Sequence, residues 1–209
     1  MKRLYPLFIA LITTCLAHAQ DTDTIKRQNN HTAFTSVEKI PEFPGGEESF
    51  KRYISKKMQY PEIARLIGIN GMLRVSFVVD EHGFIKDATP TNCIGAGCEA
   101  EAVKVLEASI PWIPGIQNGR PVRVKFTIPI NFWVDKKSVA IKELRKSDYG
   151  FIFNIKGNLY TIDEAAAILG KSFESDQVEI AQPFYNYNNT QKFKITGKKE
   201  VYLLIFKST

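Results

Sequence analysis

Cysteine and histidine carry the most reactive side chains in this sequence, and there are three of each. Cys15 and His18 fall in an apolar N-terminal stretch and His31 in a polar one, which leaves His82, Cys93 and Cys98 within reach of each other in sequence. Nucleophilic catalysis needs a nucleophile with a base held against it. His82 instead stands in the turn-forming run Asp80-Glu81-His82-Gly83 and reads as an exposed turn residue. Structural zinc takes four ligands, and Cys93, Cys98 and His82 supply three. An even cysteine pair in an oxidising compartment favours a disulfide between Cys93 and Cys98; a metal site with His82 and two free thiols are the alternatives. Gly95-Ala96-Gly97-Cys98 lacks the spacing of a phosphate or dinucleotide loop. Asp163-Glu164 suits the start of a helix better than an acid/base couple. The expectation is a protein that is not an enzyme and takes no cofactor and no metal.

The compartment is written at the N-terminus. Met1-Lys2-Arg3 puts two positive charges before the apolar run Leu4 to Leu16, and Ala17-His18-Ala19 supplies small residues where a signal peptidase reads. The run contains Pro6 and falls short of the roughly 20 residues a membrane span needs. Cleavage after Ala19 and export to the periplasm are expected. An uncleaved short anchor and a lipoprotein acylated at Cys15 are the alternatives, the latter weakened by Thr14 before the cysteine. Taking Lys2 and Arg3 from the 28 basic residues leaves 26 against 22 acidic ones, a net +4. These charges alternate (Glu47, Glu48, Lys51, Arg52; Lys142, Glu143, Arg145), so no basic stripe for nucleic acid is present.

Residues 20–36 are polar and without period, a disordered leader. The segment 37–135 reads as the first domain, 136–148 as a charged connector with room for a helical turn or two, and 149–209 as a second small unit. In the first domain, Phe50, Tyr53 and Ile54 share one face of a helix over Glu47–Lys57. Pro61 opens a short helix, Glu62–Ile67, that Gly68 closes. Leu73, Val75, Phe77 and Val79 alternate with Arg74, Ser76 and Val78 as a half-buried strand, turned at Asp80–Gly83 into a return strand from Phe84 to Thr89. A helix follows over Glu99–Ser109. Beyond Asn118-Gly119, the residues from Val122 to Val134 alternate without a break, Val124, Phe126, Ile128, Ile130 and Phe132 against Lys125, Thr127, Pro129, Asn131 and Trp133. This predicts one long strand. Pro129 donates no ladder bond, which places that strand at a sheet edge. Such an edge is a template for an incoming peptide, and Pro129 could equally serve to protect it from aggregation.

Tyr60-Pro61, Ala64, Gly68-Ile69, Gly71, Val75, Phe77, Val79-Asp80, Gly83 and Ile85, followed by Glu101-Ala102, Trp112, Pro114-Gly115, Gly119, Pro121-Val122 and Pro129, resemble the C-terminal domain of TonB over about residues 38–134. The resemblance implies an α+β fold: a two-layer domain with a small antiparallel sheet backed by helices, here joined to a small C-terminal α+β unit. It also implies a protein or peptide partner, the N-terminal segment of a TonB-dependent outer-membrane transporter, added as a strand to the sheet edge (β-augmentation). Carried over by position, the docking strand is Val122, Arg123, Val124, Lys125, Phe126, Thr127 and Ile128. Lys57, Met58 and Gln59 are a second contact region. Arg123, Lys125 and Thr127 would tune selectivity, and Val124→Pro should abolish binding. TonB proper has an uncleaved anchor and a long Pro-rich spacer. The 20–36 leader reaches at most about 60 Å, so a soluble binder, adaptor or competitor is expected rather than an energy transducer.

In 149–209, Lys156-Gly157-Asn158 signals a hairpin between Phe151-Ile152-Phe153 and Leu159-Tyr160. Thr161 or Asp163 caps a helix over Glu164–Leu169 that Gly170 ends. Strands are expected near Gln177–Ala181, Phe193–Ile195 and Val201–Phe206, and Tyr185–Asn189 as a surface loop. The alternative function is structural: an edge strand paired with another copy, as a homodimer, or with the chain's own C-terminal unit.

Overall fold

The computed structural model describes residues 37–185 and 191–207. The expected signal peptide, its cleavage site, Cys15, the 20–36 leader and residues 186–189 of the polar-aromatic loop lie outside the described residues. Among the described residues no helix is long and apolar enough to cross a membrane.

Helix α1 (Gly46–Lys57) starts where Gly45 takes a left-handed φ of 83°, and its acidic first turn and basic last turn match the helix dipole. Phe50, Tyr53 and Ile54 pack on the core, as their spacing predicts. Helix α2 (Glu62–Ile67) follows Pro61 and stops at Gly68, φ 69°, whose N–H returns to the Ala64 carbonyl. Strand β1 (Gly71–Val79) and strand β2 (Ile85–Pro90) form the expected hairpin. Its turn is held by Asp80, whose Oδ1 accepts the N–H groups of His82 (3.0 Å) and Phe84 (2.8 Å). Helix α3 (Cys98–Glu107) packs on β2 and β1.

The predicted single strand from Val122 to Val134 is two strands. Asn118 (φ 51°) and Gly119 (φ 69°) make the left-handed pair that a tight hairpin requires. Strand β4 (Arg120–Val122) therefore turns back on β3 (Gly115–Gln117). The chain breaks at Arg123, and β5 (Val124–Phe132) pairs antiparallel with β1 in unbroken register, Gly71 opposite Phe132 through Val79 opposite Val124. The sheet order is β2-β1-β5. Its inner face meets an aromatic cluster in which the Trp112 ring lies 5.4 Å from Phe50 and Phe77, 5.7 Å from Phe43 and 6.2 Å from Phe126. Such pairs add about 0.5–1.5 kcal/mol each beyond burial.

The connector of 136–148 is structured. It forms β6 (Ser138–Ala140) and α4 (Ile141–Lys146), and Val139, Ile141 and Leu144 are buried. Three buried apolar residues among the segment's charged side chains are enough to anchor it. Strand β7 (Tyr149–Ile155) and β8 (Asn158–Tyr160) make the expected hairpin. Thr161 caps α5 (Ile162–Leu169) in a reciprocal box with Glu164, and Gly170 ends it. Strand β9 (Ser172–Glu174) pairs with β6. Strands β10 (Val178–Pro183) and β11 (Glu200–Phe206) complete a sheet of order β10-β11-β7-β8, with β7 and β11 parallel. The strand expected at Phe193–Ile195 is absent. Gln191–Phe193 is a 3-10 turn, and Phe193 is buried with Ile152, Val201 and Leu203. The return to a parallel β11 carries the chain over the sheet face, so these apolar residues cover it rather than extend it.

One apolar cluster runs through both sheets, from Ile63 and Leu73 to Phe173 and Phe206. Polar ties cross the same boundary: the Tyr149 hydroxyl donates to Glu62 Oε2 at 3.0 Å, and the Ala96 N–H donates to the Ala181 carbonyl at 2.6 Å.

Candidate functional site: the open edge of strand β5

Strand β5 is bonded to β1 on one side, and among the described residues no strand pairs with its other side. Which backbone groups face that open side follows from the neighbours of β1. The Arg74 N–H donates to Asn92 Oδ1 (2.6 Å), the Arg74 carbonyl accepts from the Thr91 N–H (2.8 Å), and the Met72 carbonyl accepts from Asn92 Nδ2 (2.9 Å). Met72 and Arg74 thus spend their backbone groups on the β2 side. Their partners across the register, Asn131 and Pro129, must point away from β1, because opposed residues in an antiparallel ladder face together or apart. The other end of β5 agrees. The Val134 N–H donates to Asn70 Oδ1 (2.5 Å) and its carbonyl accepts from Asn70 Nδ2 (3.1 Å), a side-chain imitation of one more ladder rung. Val134 therefore faces β1, and Trp133 beside it faces out.

The period of two then assigns the whole strand. Val124, Phe126, Ile128, Ile130 and Phe132 bond toward β1, with side chains on the core face. Lys125, Thr127, Pro129, Asn131 and Trp133 direct backbone groups to the open edge and side chains to the outer face; Lys125, Thr127, Pro129 and Asn131 are exposed, and Trp133 is 71% exposed. Pro129 lies in the outward row, where its missing N–H breaks no bond to β1. The expectation that proline marks the edge is met for that reason.

The expected docking residues divide accordingly. Val122 belongs to β4 and Arg123 to the break; the Arg123 Nε is buried without a hydrogen-bond partner. Val124 and Ile128 are buried and Phe126 half-buried in the aromatic cluster. Lys125 and Thr127 stand at the edge. Lys57, Met58 and Gln59 lie on the helix side of the sheet, where the Gln59 N–H donates to Glu101 of α3 at 2.8 Å. The next residue, Tyr60, reaches β5, its ring 5.8 Å from that of Phe132. Asn131 and Trp133 belong to the same outward row as Lys125 and were legible by parity from Pro129. Asn70, which fixes the end of the row, carries no sequence signal.

The Cys93–Cys98 disulfide expected from the cysteine pair is not formed: both are free thiols. Cys98 begins α3 and is buried in the core, while Cys93 is exposed and engages Glu99. Burial, with the Glu99 charge and Cys93 adding to it, pushes the Cys98 thiol up to about 12. Burial alone would raise the Glu99 carboxyl, but backbone N–H groups of Gly95, Glu99 itself and Ile94 hold it below its ordinary value. Glu99 Oε1 accepts from Ile94 (2.6 Å) and Gly95 (2.7 Å), which shapes the loop that meets β10. His82 is exposed on its turn, where its backbone N–H donates to Asp80 Oδ1.

Residues 56–134 match the family model described as the Gram-negative bacterial TonB protein C-terminal. That part of the chain is similar to the TonB C-terminal family. Two solution structures of the Helicobacter pylori TonB C-terminal domain are similar to the chain. The one spanning residues 194–285 is 22% identical, covering 43% of this chain and 94% of that one, with a TM-score of 0.35. The one spanning residues 179–285 is 24% identical, covering 44% and 88%, with a TM-score of 0.32. No curated protein matches the chain. The TonB-like segment contains β1, β2 and β5, and so the whole of the open edge.

Proposed function

We propose that the TonB-like segment is a peptide-binding module of the bacterial periplasm, which adds an extended partner segment as a fourth strand on β5. The partner is a protein segment, with the N-terminal segment of a TonB-dependent outer-membrane transporter as the candidate. The role is binding, in association with outer-membrane transport, and not catalysis. Export with cleavage after Ala19 belongs to the same reading and rests on the N-terminal sequence.

The observation that carries it is the outward row. Lys125, Thr127 and Asn131 each offer an N–H and a carbonyl to the open edge, and Pro129 offers a carbonyl. Main-chain bonds of this kind supply affinity without demanding a particular sequence. A heterologous strand fits better than a second copy. A symmetric antiparallel pair of β5 strands running their full length would include Pro129 twice and lose two donors where a peptide loses one. Pairing with the chain's own C-terminal unit is disfavoured because β7, β8, β10 and β11 already form their own sheet.

Amide hydrogen exchange followed residue by residue tests this. Adding a peptide copied from such a transporter segment should slow exchange at Lys125, Thr127 and Asn131. Exchange at those amides that ignores every extended peptide would end the proposal. Protection that rises with protein concentration alone would favour the homodimer.

A further inference from the structure

The outer face of the sheet beside this edge is not uniform. At the β5 start it carries Lys125, with Lys86 level with it on β2; Arg74 lies midway along the sheet, opposite Pro129. Lys125 lies across from Val78, which in turn lies across from Lys86. No carboxylate among the described residues pairs with any of these three cations. At the β5 end it carries Trp133, with Met72 as a diagonal neighbour, 44% exposed. The two ends are eight residues apart, about 26 Å of strand. Pro129 stands between them and interrupts the donors, so two N–H groups lie on one side of it, Lys125 and Thr127. Asn131 and Trp133 lie on the other.

A strand added to β5 sets its own outward side chains directly against Lys125, Thr127, Pro129, Asn131 and Trp133, since cross-strand neighbours approach to about 5 Å. Unpaired cations favour an acidic residue at one end. An exposed indole, flat and amphipathic, favours an aliphatic or aromatic residue at the other. We infer that β5 selects an extended segment with an acidic residue opposite Lys125 and a large apolar residue opposite Trp133, in the spacing those two residues have. This rests on the strand-addition reading and names the partner's chemistry. Trp133 and Lys125 are the selectivity-determining residues, and the two ends together fix the direction of the added strand. An antiparallel partner meets Trp133 first, and a parallel one meets Lys125 first.

The chain has two tryptophans, and Trp112 is 5% exposed, so a change in emission on binding reports Trp133. Four synthetic strand-forming peptides of threonine and valine serve as probes. Two carry leucine and aspartate at the spacing of Trp133 and Lys125, one in each order, and two carry lysine in place of the aspartate. Exchange at the Thr127 amide is followed in parallel. One aspartate peptide should bind more tightly than its lysine counterpart by about five- to tenfold at low salt, with a blue shift of the emission. Lys125→Glu should reverse that preference, and Trp133→Ala should weaken binding by about fivefold. Equal protection of Thr127 by aspartate and lysine peptides, or protection without an emission shift, overturns this inference and leaves strand addition standing. Protection of Thr127 by none of them, nor by the transporter-derived peptide, overturns both.

Discussion

Replacing Thr127 by proline removes one N–H from the row that β5 turns outward, while Val124→Pro removes one from the row that holds β5 to β1. Sequence pattern alone does not separate the two, and it picks Val124→Pro as the binding probe. The register separates them, because Val124 lies opposite Val79 and bonds inward, and Thr127 lies opposite Ser76 and points away. Val124→Pro deletes a ladder bond and strands a buried carbonyl, for about 3 kcal/mol of folding stability. Thr127→Pro deletes nothing inside the protein, and Pro129 two residues on shows that this row accepts the ring. Its stability cost should stay under about 1 kcal/mol. A bound strand, however, would lose a donor and leave its own carbonyl unpaired, about 1–3 kcal/mol, or roughly five- to hundredfold in affinity. Urea titration and calorimetric titration of a strand peptide measure the two effects side by side. If Thr127→Pro unfolds the protein as readily as Val124→Pro, the assignment of outward and inward rows is wrong. If it folds normally and binds a peptide undiminished, the partner does not add at this edge.

Gly95→Ala should lower folding stability by about 3 kcal/mol in urea titration, from left-handed strain and a lost bond. At φ 82° a Cβ there would meet the Ala181 carbonyl oxygen at 2.2 Å and part the loop from β10. Of the thiols at 93 and 98, mass spectrometry after brief alkylation of the folded protein should find label on Cys93 alone. Its rate should climb with pH through and beyond the usual thiol value of 9.0, since burial, and then the bond to Glu99, raise it. The Glu99 carboxyl is held below its ordinary 4.5, so the stability it contributes is complete above that pH and lost as pH falls beneath it. Glu99→Gln should therefore flatten the acid limb of a pH–stability curve, and an unchanged limb would show that the loop does not depend on that charge.

How much was legible in the sequence depended on how local the determinant was. The alternation from Val124 to Phe132, the Pro61 and Gly68 bounds of α2 and the Lys156-Gly157 turn are properties of a few adjacent residues, and each lies where the pattern put it; of the two caps the sequence allows for α5, Thr161 is the one used. Boundaries slipped where two local signals competed. The Asn118-Gly119 hairpin drew Val122 into β4, away from the strand that periodicity alone starts there. The sequence shows 136–148 only as a charged connector, because its charges outnumber the three apolar residues that bury it.

By itself the sequence determined which residues of β5 share a face, because strand periodicity is set by the chain's own geometry. It determined too that a proline would sit where no bond to a neighbour is needed. Only the tertiary structure decided which neighbour that is, and so which row is open. That choice depends on Asn70 and Asn92 reaching backbone groups of Val134, Arg74 and Met72, contacts that span up to 64 positions. Tertiary packing also placed β11 beside β7, laid Phe193 over their sheet, and kept Cys98 in the core apart from a surface Cys93. Pairings of this kind depend on the closure of long loops and on which surfaces are left to bury, and no window of adjacent residues contains that information.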